Sequence, residues 1–399
     1  MRIAVYHNLH SGGAKRTLFE EVRRLSPRHH LDLFSLSSAD HRFGDLSSFV
    51  HRSTIYPFHP GPLFRSPFGR LNQGVRLLDL ARLRRLSRRI AAEIDAAGYD
   101  VVLVHPCQYT QSPLVLTFLR TPTVYYCHEP LRKLYEPPVP RPYRRPSTGR
   151  RLLDGVDPLL RVYRVALRRA DHVSLRSADR VLVNSRFTQE NVRRIYGVES
   201  RVCPHGVDTE RFRPLDLPRD GTVLSVGALT PNKGFDFLIE GIARMDRRGR
   251  PPLVIVSNYA EPQERAYLEA LAAERGVSVT FRTGVSNGEL VAAYNRAALV
   301  AYAPVREPLG LVPLEAMACG TPVVGVREGG VPETVRHGET GLLVERRPEA
   351  LAQAIRRLLD DPGLARQMGE QGRRYVCERW GWDRAVAALE EHLRAAAGG

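Results

Sequence analysis

The sequence is short of lysine. Of 59 lysines plus arginines only Lys15, Lys133 and Lys233 are lysine, so almost all of the +16 formal charge is carried by arginine. Long apolar runs are missing too. No stretch approaches the roughly 18–20 continuous apolar residues that a membrane span needs, and Met1 opens directly into a strand-like run. Neither a cleaved signal peptide nor an integral anchor is expected, which leaves a cytoplasmic chain. The five cysteines (Cys107, Cys127, Cys203, Cys319, Cys377) are scattered without a Cys-x-x-Cys pair. That excludes a disulfide framework and a zinc site of that pattern, and buried free thiols in a reducing compartment are the expectation. Nor is there an Asp-x-Asp pair placed to hold a divalent ion, or a segment that looks like an RNA- or DNA-reading module.

At 399 residues, 43% hydrophobic and 26% charged, the composition is that of a folded protein of two or three domains. Its positive excess suits nucleic acid, an anionic membrane face or a phosphorylated small molecule, and composition does not choose among them.

The order of elements says more. Arg2 to His7 reads as a strand, Ser11-Gly12-Gly13-Ala14 as a turn, and Leu18, Val22 and Leu25 as the buried stripe of a helix. His30 to Leu36 alternates like a second strand. Residues 76–97 form a long helix with Leu83, Leu86, Ile90 and Ile94 on one side and Arg82, Arg85, Arg88 and Arg89 on the other. Asp100 to His105, Pro122 to Cys127 and Arg180 to Asn184 are continuous apolar runs, the mark of strands buried on both faces.

After a Pro- and Arg-rich pause over 205–220 the pattern restarts. Thr222 to Val226, Leu253 to Val256, Val277 to Phe281, Leu299 to Ala303, Pro322 to Val326 and Gly341 to Val344 are strands separated by helical or turn signals. The chain therefore reads as α/β, with two parallel-sheet units of similar design. Open sheets of this kind bind ligands beyond the carboxyl ends of their strands, so a cleft between the units is the expected site. Two segments have no period: 38–75, and the basic, proline-rich 129–151 with six prolines and seven Arg or Lys. Loops this long are functional or disordered.

The strongest local signal runs from Glu307 to Val324 (EPLGLVPLEAMACGTPVV). Gly310 lets a ligand approach the backbone, and a helix from about Leu311 to Cys319 presents unpaired N–H groups there, which together make an anion site. Glu315 lies one turn into that helix, within reach of a diol beside the phosphates, and Glu307 precedes the glycine. Taken singly, Glu315 could merely complement the helix dipole and Glu307 could be a solvated loop acid.

This run resembles the retaining family 4 glycosyltransferases of the GT-B fold. The resemblance begins with the Glu-x7-Glu motif of Glu307 and Glu315 and continues through Gly-Thr-Pro-Val-Val (320–324), Gly329-Gly330-Val331-Pro332-Glu333 and His337-Gly338-Glu339-Thr340-Gly341. It takes in Val226-Gly227-Ala228-Leu229 with Lys233-Gly234, Ala178-Asp179-Arg180 through Ser185, and His205-Gly206-Val207-Asp208. The resemblance implies two Rossmann-like domains facing across a central cleft: residues 1–210 on the acceptor side, 211–375 binding the donor, and a crossover helix over 376–399 packing back on the first. It further implies that Glu315 holds the ribose, Glu307 contacts the donor sugar, and the backbone of Gly310, Leu311 and Val312 holds sugar and diphosphate. Lys233 would neutralise the departing diphosphate, Val285 would lie near the nucleobase, and Gly12 and Gly13 would approach the diphosphate from the opposite wall. His128 would face the donor sugar, bonding its hydroxyls near the reacting centre.

Two positions depart from the family pattern. Ala228 stands where an Arg is common, which leaves Lys233, the helix N-terminus and an Arg from elsewhere (Arg306 or Arg132) to share the diphosphate. His205 stands where Asn is common.

The expected reaction is transfer of a sugar, with retention, from a UDP- or GDP-linked donor to an acceptor hydroxyl. No metal or other cofactor is expected, and no nucleic acid. The acceptor, a lipid-linked glycan, a glycolipid or a small molecule, stays open. An anionic inner membrane face is a further expected partner, through the arginines of the 76–97 helix and the 129–151 loop. The alternatives are a nucleotide-sugar 2-epimerase of the same architecture and a non-catalytic anion binder.

Overall fold

The computed structural model describes residues 1–65, 68–144 and 157–398. Apolar, β-branched runs become strands and the amphipathic segments between them become helices. Among the described residues the first sheet has seven strands: β1 (Arg2–Asn8), β2 (His30–Leu36), β3 (Arg52–Tyr56), β4 (Val101–Cys107), β5 (Thr123–Cys127), β6 (Arg180–Val183) and β7 (Arg201–Val202). Their order is β3-β2-β1-β4-β5-β6-β7, every pair parallel. The second sheet holds β8 (Val223–Val226), β9 (Leu253–Ser257), β10 (Val279–Thr283), β11 (Leu299–Tyr302), β12 (Val323–Val326) and β13 (Gly341–Val344) in the order β10-β9-β8-β11-β12-β13, again all parallel. The expectation of two parallel-sheet α/β units is met.

Neighbouring residues along one strand feed opposite cores, which is why the strands do not alternate in polarity. In the second sheet Val223, Ile255, Leu299 and Ala301 belong to one buried cluster, and Leu224, Val256, Val300 and Tyr302 to another. Both faces are covered by helices, as a parallel sheet requires. The helix Asn72–Ala96 buries Leu83, Ile90 and Ile94 against the first sheet and leaves Arg82, Arg85, Arg88 and Arg89 exposed.

Residues 1–138, 157–205 and 385–398 pack as one compact unit, and 139–144 with 206–384 as the other. The chain thus passes into the second unit at 205/206. The segment 376–399 is not one helix. Helix Pro362–Arg379 ends at Trp380, whose carbonyl accepts from Val207 N at 2.7 Å, and a new helix, Trp382–Ala397, begins after Gly381. A Cβ on Gly206 would lie 2.5 Å from Trp382 Cα, so backbone meets backbone at this break. Beyond residue 385 the helix packs on the first unit, where buried Glu390 accepts from His29 Nε2 at 3.0 Å and pairs with Arg28 at 2.8 Å.

Three further expectations change. The 38–75 stretch contains β3, an edge strand with exposed and half-buried residues that extends β2 in parallel, so no apolar run marked it. Cys107, Cys127, Cys203 and Cys319 are buried thiols, but Cys377 is exposed on a helix surface. The basic 129–151 segment is not a uniformly solvated patch. Arg132 pairs with Glu129 at 2.5 Å, Arg141 is buried among carboxylates, and Arg144 pairs with Glu261. Residues 145–151 lie outside the described residues.

Candidate functional site

In both sheets the chain reverses its direction of growth between two adjacent strands: β1 and β4 in the first, β8 and β11 in the second. Loops leaving those strands diverge to opposite faces and open a crevice, where ligands of such sheets bind. The residues singled out by the sequence cluster at these two points.

In the second unit the loop after β8 turns through Gly227 into Pro231–Lys233, and Gly234 (φ 67°) begins the helix Phe235–Ala243. A Cβ on Gly234 would stand 2.0 Å from the carbonyl oxygen of Ala303, so only glycine permits the loop after β11 to lie against it. Val305 N donates to Asn232 O at 2.8 Å and fastens the two loops. Lys233 Nζ then reaches Glu307 Oε2 at 2.8 Å, an ion pair that is partly exposed.

Glu307 itself is set by backbone. Gly330 N donates to Glu307 O at 2.8 Å, and Cβ atoms on Gly329 and Gly330 would approach Glu307 O to 2.5 Å and Pro308 O to 2.2 Å. Arg346 adds a clamp, donating to Ala303 O (3.1 Å), Pro304 O (2.6 Å) and Glu328 Oε2 (2.6 Å), while Glu328 Oε1 accepts from Arg306 N at 3.1 Å. Three residues later Gly310 (φ 100°) starts the helix Leu311–Ala318. Pro313 has no N–H and the first-turn amides of Leu311 and Val312 have no intrahelical acceptor, so this end of the helix faces the Glu307 loop as a donor surface.

Glu315 is buried in that helix and accepts from Tyr294 Oη at 2.8 Å; Tyr294 belongs to the helix Asn287–Arg296. Val285, half-buried in the turn after β10, packs on the same apolar cluster as Leu311 and Val312. The structure therefore brings together Lys233, Glu307, Gly310, Leu311, Val312, Glu315 and Val285 at the carboxyl end of the second sheet.

In the first unit Gly12 (φ 147°) and Gly13 follow β1, and a Cβ on Gly12 would meet open space. Behind them lies a buried polar cluster that sequence reasoning missed except for His128. His105, at the end of β4, stands between Glu21 Oε2 (3.0 Å from Nε2) and His128 Nε2 (3.3 Å from Nδ1). The His128 ring lies 4.9 Å from that of Tyr126 and 5.0 Å from that of His205, and its carbonyl accepts from Asn184 Nδ2 at 3.1 Å. His7 and Lys15 form a second pair at 3.3 Å, with Leu9 N donating to His7 Nδ1 at 3.2 Å.

Burial sets the charges here. It pushes His7 and His128 well below the ordinary imidazole range, takes His205 down to about 3, and holds the Lys15 ammonium down to about 8. His128 is thus a neutral imidazole, suited to hydrogen bonding rather than to acting as a cation. Of the two arginines suggested as stand-ins for the missing one at Ala228, Arg306 adjoins Glu307 in a left-handed conformation (φ 50°), whereas Arg132 belongs to the first unit and pairs with Glu129.

Known proteins share this organisation. Among curated relatives, the D-inositol 3-phosphate glycosyltransferase of Streptomyces bingchenggensis is 35% identical over 242 residues, covering 54% of this chain and 52% of that protein. The GDP-mannose-dependent alpha-(1-6)-phosphatidylinositol monomannoside mannosyltransferase of Mycobacterium tuberculosis is 36% identical over 263 residues, 59% of this chain and 66% of that protein. The chain thus spans between half and two thirds of these relatives' lengths. Among solved structures, sucrose-phosphate synthase from Thermosynechococcus elongatus superposes with a TM-score of 0.73 at 23% identity, covering 99% of this chain and 98% of that one. Anabaena HepE in complex with UDP and glucose gives 0.70 at 20% identity, with 99% of each chain covered. These likenesses show the fold, two parallel-sheet α/β units of the GT-B kind. The family model described as Glycosyl transferases group 1 matches residues 207–375 and that described as Glycosyltransferase Family 4 matches residues 11–211, half the chain, so this protein belongs to glycosyltransferase family 4.

Proposed function

We propose that this chain transfers a glycosyl group, with retention of configuration, from a nucleoside-diphosphate sugar to an acceptor hydroxyl in glycolipid synthesis. The observation that carries the reading is the Lys233–Glu307 pair, 2.8 Å apart, beside the glycine-capped start of the helix Leu311–Ala318. An ammonium and a helix N-terminus converge where a diphosphate would sit, with one carboxylate on each side of it.

Each residue then has a task. Glu315, held by Tyr294, binds the ribose hydroxyls, and Val285 lies along the nucleobase. The amides of Leu311 and Val312, with Gly310, take the phosphates, and Gly12 and Gly13 keep the diphosphate-approaching role that the family resemblance implies for them. Glu307 orients the sugar by hydrogen bonds, and His128 keeps the sugar-hydroxyl role that the family resemblance implies for it. As the bond from the anomeric carbon to the phosphate oxygen breaks, negative charge grows on that oxygen, and Lys233 and the helix dipole stabilise it. The new bond forms from the acceptor oxygen on the same face, and the acceptor proton passes to the departing phosphate. GDP is the favoured nucleotide and a phosphoinositol-type lipid the favoured acceptor class, because one relative above is named for GDP-mannose and phosphatidylinositol monomannoside and the other for D-inositol 3-phosphate.

A lipid acceptor places the protein peripherally on the inner face of a membrane. No helix among the described residues is long and apolar enough to cross one. In the first unit, however, the packed helices Asn72–Ala96 and Pro158–Arg176 expose Leu78 (62%), Val162 (55%) and Val165 (67%) among exposed arginines that include Arg82, Arg85, Arg161 and Arg164. Apolar side chains that insert and arginines that meet headgroups are what interfacial binding needs.

The test is incubation of GDP-mannose, UDP-glucose and UDP-N-acetylglucosamine with the protein, with and without phosphatidylinositol vesicles. Transfer to lipid supports the reading; a new sugar epimer from donor alone overturns it in favour of an epimerase. Equal sedimentation with neutral and anionic vesicles removes the membrane part.

A further inference from the structure

Among the described residues of the basic, proline-rich segment, Arg141 is the most heavily engaged side chain. It lies in residues 139–144, which pack within the second unit although the chain before them, to residue 138, belongs to the first. The residue is 5% exposed. Its Nε donates to Glu264 Oε2 at 2.9 Å and its Nη2 to Glu264 Oε1 at 2.9 Å. Nη1 and Nη2 each reach an Asp236 carboxylate oxygen at 3.0 Å, and Nη2 also donates to the carbonyl of Pro231 at 3.0 Å. The guanidinium lies 5.2 Å from the Tyr267 ring centroid, and Tyr143 Oη donates to Glu264 as well.

Two of these acceptors bracket Lys233. Pro231 opens the turn Pro231–Lys233, and Asp236 stands in the first turn of the helix that follows Gly234. One planar fork therefore grips the Lys233 loop from both sides. Glu264, fully buried on the helix Pro262–Arg275, fixes the fork in turn. Stability alone does not explain the choice, since a buried ion pair is matched or bettered by apolar residues of similar volume. A guanidinium is distinguished by rigid, multi-directional donors that a lysine cannot reproduce. Prolines 138, 140 and 142 stiffen the approach, which lowers the conformational freedom lost in presenting Arg141.

We infer that Arg141 is a positioning residue for Lys233: it sets the lysine loop so that the ammonium meets the donor diphosphate, and it does so from a segment that the sequence places between His128 and the helix Pro158–Arg176. The inference rests on the donor-site reading of Lys233 proposed above.

The test uses the full chain and calorimetric titration with UDP and GDP, each against its monophosphate. Variants are Arg141→Lys, the pair Arg141→Gln with Glu264→Gln (which leaves no unpartnered carboxylate at 264), Asp236→Asn, Lys233→Ala, and each of the first three combined with Lys233→Ala. Arg141→Lys is expected to weaken diphosphate binding about tenfold, the scale of a small misplacement of a binding group, with monophosphate binding and melting temperature close to the parent. In the Lys233→Ala background the same substitutions should cost nothing further, because residues acting as one unit are not additive. Asp236→Asn should act in the same direction and guards against a folding defect at Arg141. Unchanged diphosphate binding in folded Arg141 and Asp236 variants, or losses that multiply with that of Lys233→Ala, overturns the inference while leaving the donor site intact. If Lys233→Ala itself leaves the preference for diphosphate over monophosphate unchanged, the donor-site reading fails and Arg141 has no ligand group to position.

Discussion

Lys233 Nζ lies 2.8 Å from Glu307 Oε2, so the ammonium proposed to meet a diphosphate is paired with the carboxylate proposed to meet the sugar. A nucleoside diphosphate has to draw Lys233 away from Glu307. Glu307→Gln removes that competitor, and its nucleoside-diphosphate affinity is expected to equal or exceed the parent's while transfer falls by about 10²–10³, the scale of losing one preorganised group at a reacting centre. Lys233→Ala is expected to lose both. Calorimetry with GDP and UDP beside a transfer assay separates the two; equal loss of binding in both variants contradicts the arrangement.

Glu315 accepts from Tyr294 Oη at 2.8 Å inside the protein, which fixes the carboxylate proposed to meet the ribose diol. Glu315→Gln should weaken nucleotide binding by about 1.5–3 kcal/mol, the range for hydrogen bonds to a charged group. It should also erase the preference for ribonucleotide over 2′- and 3′-deoxy analogues. Tyr294→Phe, which only unlatches the carboxylate, should cost about 1 kcal/mol. Competition binding with the deoxy analogues reads this, and an undiminished ribose preference in Glu315→Gln places the ribose elsewhere.

How much of this was legible in the sequence follows from how local each feature is. Gly310 and the helix Leu311–Ala318 could be read directly, because glycine, helix and both carboxylates fall within one contiguous run. Tyr294 could not: its partner lies 21 residues away, and along its own helix it looks like one more core aromatic. His7 and His105 each looked like the polar end of an apolar strand, and only the β1–β4 adjacency brings them to one cluster. Strand β3 was invisible because an edge strand with exposed residues carries no apolar run. Arg141 read as surface charge because its carboxylate partners sit 95 and 123 residues along the chain.

Gly234 and Gly197 share a left-handed backbone (φ 67° and 63°), yet only Gly234 has a neighbour where a Cβ would go, Ala303 O at 2.0 Å. Gly197→Ala should therefore cost only the backbone term, about 1 kcal/mol. Gly234→Ala should cost clearly more, about 3 kcal/mol or above once the β11 loop is displaced, and should weaken diphosphate binding through Lys233. Urea unfolding of the two variants checks this; equal destabilisation would mean that the loops do not touch.

His7, His128 and His205 are held below their unfolded imidazole pKa by burial, so the unfolded chain binds more protons between those values and the usual 6.5. Stability contributed by these groups is intact above about pH 6.5 and declines as pH falls from there. For His205, held near 3, the loss by pH 5 amounts to about 2 kcal/mol. Melting temperature should drop steeply between pH 7 and 5, and His205→Asn should flatten that drop. A variant whose pH profile parallels the parent's refutes the assignment.

Lys15 presents the opposite cost. Its folded pKa is held down to about 8, against 10.5 unfolded, so the ammonium penalises folding at pH 7 and the penalty fades as pH rises from 8 toward 10.5. The hydrogen bond from Leu9 N to His7 Nδ1 puts the imidazole proton on Nε2, facing Lys15, so the ammonium that predominates below pH 8 gains no acceptor from His7. Lys15→Met fills the same volume without charge and is expected to stabilise the fold by about 2–3 kcal/mol at pH 7. That gain should shrink to near zero by pH 10.5, as followed by chemical denaturation across the range. Because Lys15 stands in the first turn of the helix Gly13–Leu25 that follows β1, the same variant should lose transfer activity if the buried lysine is kept for the reaction. A Lys15→Met protein that is both more stable and fully active would assign this lysine no part in the chemistry.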